Sequence, residues 1–277
     1  PLFHRVRDDA RIARIDIDPL KLELGLWSFP TDLLMDASTA ATLPLLTALV
    51  QERRTAVQSA RAQERQTAIA AAHRRRQEEL AGAGDASGGA DGVISAAHLA
   101  RCVAEMVDEQ TIVVDDSTTA VATNAEHIPT LFAGSYFQPI GSSMGWGAGA
   151  SLGAKLAAPD KTVISLNAEG NFFSGAPEAA LWGAARLDAP FLTVVYDNSQ
   201  YAAIKLGVGF EYPDSALSEA RLLDLERPPD ISGIARSCDA HAERIADAAE
   251  LPAALTRGLE TVRGGQSAVI DVAIAGP

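Results

Sequence analysis

From about residue 93 onward the chain alternates short, nearly continuous apolar runs with longer stretches of helical character. The runs lie at residues 111–115, 135–140, 162–166, 191–196 and 268–273, and most are rich in Val and Ile. Strands that face solvent on one side alternate apolar and polar residues, whereas these runs are apolar on both faces and need covering twice over. The pattern therefore predicts an α/β domain over 93–277: a doubly wound parallel sheet with helices on both faces. Upstream, residues 12–18 do alternate and stop at Pro19, which predicts a short strand ended by a turn. Helix is predicted at about 38–80. Residues 81–92, dense in Gly and Ser, are predicted to be a linker and the one clear domain boundary.

Composition narrows the functional classes. The 36 acidic and 23 basic residues give a net charge of -13, which works against the phosphate attraction on which nucleic-acid binding depends. Residues 51–80 run the other way, with seven Arg and four Glu, and read as a charged helix face. No apolar run reaches the length of a membrane helix and the first residues lack the apolar segment of a signal peptide, so a cytoplasmic protein with no membrane partner is expected. Cys102 and Cys238 each lie in an apolar helical pattern and are expected to be buried thiols. The five His residues are scattered without metal-ligand spacing. Trp146 and Trp182 are expected in the core.

In a doubly wound sheet, ligands bind beyond the carboxyl ends of the strands. Those ends read Asp115 to Thr119, Gly141 to Gly147, Asn167 to Asn171 and Asp197 to Tyr201, all polar or Gly-rich. Four such loops on one sheet edge suggest a single anionic ligand held with a metal. Glu169 and Asn198 follow neighbouring strands in matched register, so a carboxylate and an amide oxygen can hold a hard cation such as Mg²⁺. Helices opening near residues 117, 145 and 175 would add N–H groups for the anion. Asp115 and Asp116 have a plainer reading as caps of the next helix, and Met144 as core filling. A dinucleotide-binding unit is the rival: Gly147, Gly149 and Gly153 open a helix, and Glu169 ends the next strand. Against it, residues 141–144 lie between strand and glycines where a tight turn is needed, and Asp197 and Asn198 are left without a task.

The segment from Leu166 through Glu169, Gly170, Asn171 and Phe173, continued by Trp182 and closed by Asp197 and Asn198, resembles the thiamine diphosphate motif. That motif begins Gly-Asp-Gly and ends in Asn-Asn. Ile15 to Pro19 is similar to the closing strand of the central domain in acetolactate-synthase-like enzymes, and Gly141 to Gly153 to the Gly-rich segment before their cofactor helix. The chain is thus similar, from about residue 10 to 275, to the C-terminal part of enzymes of the acetolactate synthase, benzoylformate decarboxylase and 2-hydroxyacyl-CoA lyase superfamily. Residues 1–50 would then be the end of a Rossmann-like central domain, 51–92 a charged helix and linker, and 93–277 the diphosphate-binding domain.

The resemblance implies thiamine diphosphate and Mg²⁺ as cofactors, with Glu169, Asn198 and the Gln200 carbonyl on the metal. Thr118, Thr119, Gly170, Asn171 and Tyr201 would line the cofactor, and Asn171 takes the place of a diphosphate-binding Ser. Ser142 would accept from the aminopyrimidine through its carbonyl. Met144 would be the catalytic wedge that bends the cofactor, bringing its amino group near the thiazolium carbon whose proton must leave.

Two departures are plain: Gly-Asp-Gly has become Ala168-Glu169-Gly170, and the first Asn has become Asp197. In the family the glutamate that activates the pyrimidine comes from a different domain, and neither Glu126 nor Glu178 can replace it, since both fall on helices of this one. The expected partner is a chain or segment carrying the pyrimidine-binding domain, in a dimer or tetramer of such pairs, acting on a small 2-oxo or 2-hydroxy acid or its thioester. The chain is either one piece of a split enzyme or part of a longer one. A degenerate subunit kept for assembly is the alternative.

Overall fold

The computed structural model describes residues 7, 9–22, 30–83, 93–139, 141, 143–213 and 223–276, and the chain divides into two compact units, 1–77 and 78–277. In the first, β1 (Ala13–Asp16) and β2 (Leu33–Asp36) pair in parallel, with Ile15 opposite Met35. The expected helix over 38–80 is two helices, α1 (Thr39–Arg53) and α2 (Ala56–Ala83). Arg54 turns extended at φ -70° and ψ 122°. Thr55 and Gln58 then restart the helix reciprocally, the Thr55 N–H donating to Gln58 Oε1 (2.9 Å) and the Gln58 N–H to Thr55 Oγ1 (3.2 Å). Helix α2 runs past the start of the expected linker, whose residues 84–92 lie outside the described residues.

The second unit holds a six-stranded, all-parallel sheet. Its strands are β3 (Thr111–Asp116), β4 (Tyr136–Phe137), β5 (Thr162–Ala168), β6 (Leu192–Asp197), β7 (His241–Ile245) and β8 (Ala268–Ala273), in the order β4-β3-β5-β6-β8-β7. Side chains alternate across the sheet as pleating requires. Ile270 and Val272 join the core under α3 (Ala96–Ala104) and α10 (Leu251–Arg263), while Val269 joins the core under α5 (Trp146–Ala157), α7 (Pro177–Arg186) and α9 (Ile231–Ser237). Both faces are thus packed, which is the doubly wound architecture the apolar runs imply.

Strand β7 was not anticipated. Its sequence His-Ala-Glu-Arg-Ile is mostly polar, as befits an edge strand that meets only β8. The run at 135–140 shrinks to the two residues of β4 at the opposite edge.

Topology locates the site. From β3 the chain moves outward to β4, then crosses back to β5 on the other side of β3, so strand order reverses between β3 and β5. A crevice opens at such a switch point, beyond the carboxyl ends of the strands. Register levels those ends, with Asp116 opposite Asn167 and Ala168 opposite Tyr196. Among the described residues, no helix is long and apolar enough to cross a membrane.

Candidate functional site

Beyond β3, Asp115 Oδ1 accepts from the Ser117 N–H (3.0 Å) and hydroxyl (2.6 Å), closing a tight turn. Thr118 is thereby held at φ +53°, a left-handed conformation unusual for a β-branched residue and typical of strained functional loops. Thr118 and Thr119 open a 3-10 turn (Thr118–Ala120), so their N–H groups have no acceptor within it. Neither aspartate takes the expected role of capping the 3-10 helix: Asp115 closes the turn before it. Asp116 reaches across the crevice instead: its Oδ2 accepts from the Gly147 N–H (2.9 Å), and its Oδ1 and carbonyl accept from Asn171 Nδ2 (2.6 and 2.7 Å). Burial pushes the Asp116 carboxyl above its usual range.

Two glycines make this crossing possible. Gly145 sits at φ +92°, and a Cβ there would lie 2.6 Å from the Gly175 backbone. A Cβ on Gly147 would lie 2.5 Å from Asn167 Oδ1 and 2.8 Å from Asp116 Cβ. Helix α5 can therefore start against the sheet only where the chain has no side chain.

Beyond β5, Glu169 begins α6 (Glu169–Ser174), a short helix the sequence reading lacked. Ala168, where the motif has Gly, lies at φ -71° and ψ 152°, extended backbone that any residue adopts, so that departure introduces no strain. Gly170 packs closely, since a Cβ there would lie 3.1 Å from the Tyr201 ring and the ring would have to give by a few tenths of an ångström. Glu169 Oε1 and Asn198 Oδ1 both accept from the same Gln200 N–H, at 3.0 and 3.1 Å. The two expected ligand oxygens thus converge on one point, fixed by the turn after β6. Ser199 is held there at φ +55°, and the Gln200 carbonyl accepts from the Ala202 N–H at 2.9 Å. Glu169 is 2% exposed, and burial, with the neighbouring Asp197 charge adding to it, pushes its carboxyl up to about 7 against the pull of N–H bonds such as that from Gln200.

Thr118, Thr119, Met144, Glu169, Gly170, Asn171, Asn198, Gln200 and Tyr201 line one cleft of about 240 Å³, closed by Ala202, Ala203 and Ile204 of α8 (Ala202–Glu211). Met144 also borders a second chamber of about 160 Å³ with Asp116, Pro139 and Gly141. It is 49% exposed between the two, which suits a wedge and not the core filling weighed against it. Asn171 differs from expectation: both hydrogens of its amide are committed to Asp116, so a contact to a diphosphate would come from its main-chain N–H. Ser142 lies outside the described residues.

Sequence reasoning missed the group behind the cleft. Arg244 of β7 donates through Nη1 to Asp197 Oδ2 (2.7 Å) and to Asp271 Oδ2. Burial pushes Asp271 up to about 6 although Arg244 opposes the shift. Two core expectations also fail. Trp182 is 60% exposed on the outer face of α7, with the Arg186 guanidinium 5.4 Å from its ring, and Trp146 lies only partly covered at the start of α5. Cys102 is buried as expected, Cys238 only half-buried at the end of α9, and both thiols are free.

Residues 126–272, over half of the chain, match the family model of the thiamine pyrophosphate enzyme C-terminal TPP binding domain. The chain belongs to this family of thiamine diphosphate enzymes. It is 31% identical over 153 residues to a benzoylformate decarboxylase of Pseudomonas aeruginosa, covering 55% of this chain and 28% of that protein. It is 29% identical over 170 residues to a Mycobacterium tuberculosis protein provisionally named acetolactate synthase large subunit IlvX, covering 59% of this chain and 32% of that protein. Among solved structures, the thiamine diphosphate-dependent 4-hydroxybenzoylformate decarboxylase of Rhodococcus jostii RHA1 superposes with a TM-score of 0.60 at 22% identity, over 69% of this chain and 34% of that one. The chain therefore spans about a third of the length of the relatives it matches, and the structural likeness shares the thiamine diphosphate-binding fold. Family membership removes the dinucleotide alternative. In the fold, β4 ends at Phe137 and α5 begins only at Trp146, where a tight turn would be required.

The residues present fit the family's cofactors. Glu169 and Asn198 bring a buried carboxylate and an amide oxygen together, and the Gln200 main-chain carbonyl belongs to the same turn; hard oxygen donors of this kind would suit Mg²⁺. Among the described residues no three His, Cys, Asp or Glu side chains gather as ligands, so such a set depends on Glu169 for its only charge.

Proposed function

We propose that this chain is the diphosphate- and metal-binding part of a thiamine diphosphate-dependent lyase or carboligase. It acts on a small 2-oxo or 2-hydroxy acid, or its thioester, in the cytoplasm. The observation that carries the reading is the convergence of Glu169 Oε1 and Asn198 Oδ1 on the Gln200 N–H, inside the cleft bordered by Thr118, Thr119 and Met144. Glu169, Asn198 and the Gln200 carbonyl hold Mg²⁺; the main-chain N–H groups of Thr118, Thr119 and Asn171 bind diphosphate oxygens. When bound, thiamine diphosphate supplies the carbon nucleophile and electron sink for cleaving the bond beside a carbonyl. Met144 keeps the two halves of the site apart, and Tyr201 stacks against Gly170 to close the floor. Ala202, Ala203 and Ile204 keep water from the reacting end.

The site is completed by a pyrimidine-binding domain from another chain or segment, which supplies the activating glutamate. Exposed apolar side chains around the cleft support this, since Ile204, Leu206 and Phe210 of α8 are 52%, 56% and 66% exposed. The test is turnover. The purified chain alone is expected to show no decarboxylation of 2-oxo acids and no carboligation, with activity appearing on addition of the polypeptide that copurifies with it. Full turnover by the isolated chain, with no partner detectable by mass spectrometry, would contradict the divided site. An inactive complex that still takes up cofactor would favour the degenerate, assembly-only reading.

A further inference from the structure

We infer that Arg244, on edge strand β7, is a positioning residue for the cofactor site and the structural counterpart of Asp197. Asp197 stands where the thiamine diphosphate motif has an uncharged Asn. The side chains of Asp197 and Asp271 are each 3% exposed and face one cavity of about 210 Å³, whose wall also includes Glu169 and the more exposed Asp230. Carboxylates so close repel one another, and buried charges persist only when paired. Arg244 supplies the pairing, because one guanidinium nitrogen bridges Asp197 Oδ2 and Asp271 Oδ2 while half of its side chain stays in water.

The bridge leaves the other oxygen of Asp197 free to build the site. Asp197 Oδ1 accepts from the Ser199 N–H (2.9 Å) and hydroxyl (3.1 Å). Those bonds hold Ser199 at φ +55°, and the same turn presents Asn198 Oδ1 and Gln200 to Glu169. Arg244 does not line the cofactor cleft and acts on it only through Asp197. Without the guanidinium, Asp197 is left as a buried charge that has lost its partner and must swing toward water, which takes its Oδ1 away from Ser199. An Asn at 197 would need no counter-charge and could still accept from Ser199 through its amide oxygen. The purpose of the arrangement rests on the metal reading above; the bridge and turn do not.

The test compares wild type, Arg244→Met, and Arg244→Met combined with Asp197→Asn in the full chain. Amide hydrogen exchange is measured without cofactor, and thiamine diphosphate binding is measured with Mg²⁺ in the complete complex. In Arg244→Met, exchange at Ser199 and Gln200 should quicken about tenfold or more while the β5 amides stay protected, and the double variant should return to within about threefold of wild type. Magnesium-dependent cofactor affinity should fall and recover in parallel. Unchanged exchange in Arg244→Met, or a double variant as loose as the single one, overturns the inference. Loss of protection across the whole sheet in both variants also overturns it, by reducing Arg244 to a general stabilising role. A wild type with this exchange pattern but no magnesium-dependent binding would support the positioning role and defeat the functional reading, so the two failures are distinguishable.

Discussion

The two walls of the cleft are held by different physics. On the β3 and β5 side a single buried carboxylate, Asp116, gathers uncharged donors, the Gly147 N–H and the Asn171 amide. Steric exclusion at Gly145 and Gly147 leaves no room for variation there. On the β6 and β8 side the wall is held by ion pairs, with Arg244 between Asp197 and Asp271. A sterically packed wall tolerates no added atom at Gly145 or Gly147, whereas a wall held by ion pairs tolerates exchange when both members of a pair change together. Of the two departures from the family motif, Ala168-Glu169 stands at the end of β5 on the first wall, where Ala168 takes extended backbone without strain, and Asp197 lies on the second, where a compensating residue can absorb it.

Breaking the packed wall should have the largest effect. Gly145→Ala forces a Cβ into the Gly175 backbone from a left-handed conformation, and is expected to cost about 3 kcal/mol or more, read as a lowered denaturant midpoint at constant slope. Next comes the pH response of the cofactor-free chain. Glu169 is raised from 4.5 to about 7, so the folded chain retains a proton there that the unfolded chain loses. Stability should fall by up to about 3 kcal/mol as pH rises between those values and level off above, and Glu169→Gln should remove the slope. Glu243 gives the opposite sign, because Arg257 and His241 hold it down to about 2. Its contribution is present above 4.5 and lost as pH falls toward 2, a loss that Glu243→Gln should abolish. Asp116→Ala strands the Gly147 N–H and the Asn171 amide and is expected to cost about 2 kcal/mol. Met144→Ala should change stability by less than about 1 kcal/mol, since Met144 is half-exposed, while lowering turnover of the complete complex far more than cofactor affinity.

What could be read from the sequence follows the range of the interactions. The apolar runs locate β3, β5, β6 and β8 because a strand covered on both faces needs a continuous run of apolar residues. The strand-end places of Glu169 and Asn198 were legible because both sit directly after such runs, although the register pairs Ala168 with Tyr196 and so sets Asn198 one residue further on. Strand β7 was not, since an edge strand carrying Glu243 and Arg244 looks like any polar segment. The reach of Asp116 to Asn171 spans 55 residues, and that of Arg244 to Asp197 spans 47, so local pattern could pair neither. Trp182 was misassigned for a related reason: an aromatic on a helix predicts burial only if the helix face it occupies is covered, and helical periodicity does not say what covers it.

The central claim is that Glu169 and Asn198 hold a metal that anchors the cofactor diphosphate. The most direct measurement is a calorimetric titration of thiamine diphosphate into the complete complex, with Mg²⁺ and with a chelator, for wild type and Glu169→Ala. Binding that requires Mg²⁺ in wild type and is abolished in Glu169→Ala, with the melting temperature of the cofactor-free variant not lowered, is the expected result. Cofactor affinity that is the same with chelator present, or unchanged in Glu169→Ala, would contradict the metal assignment.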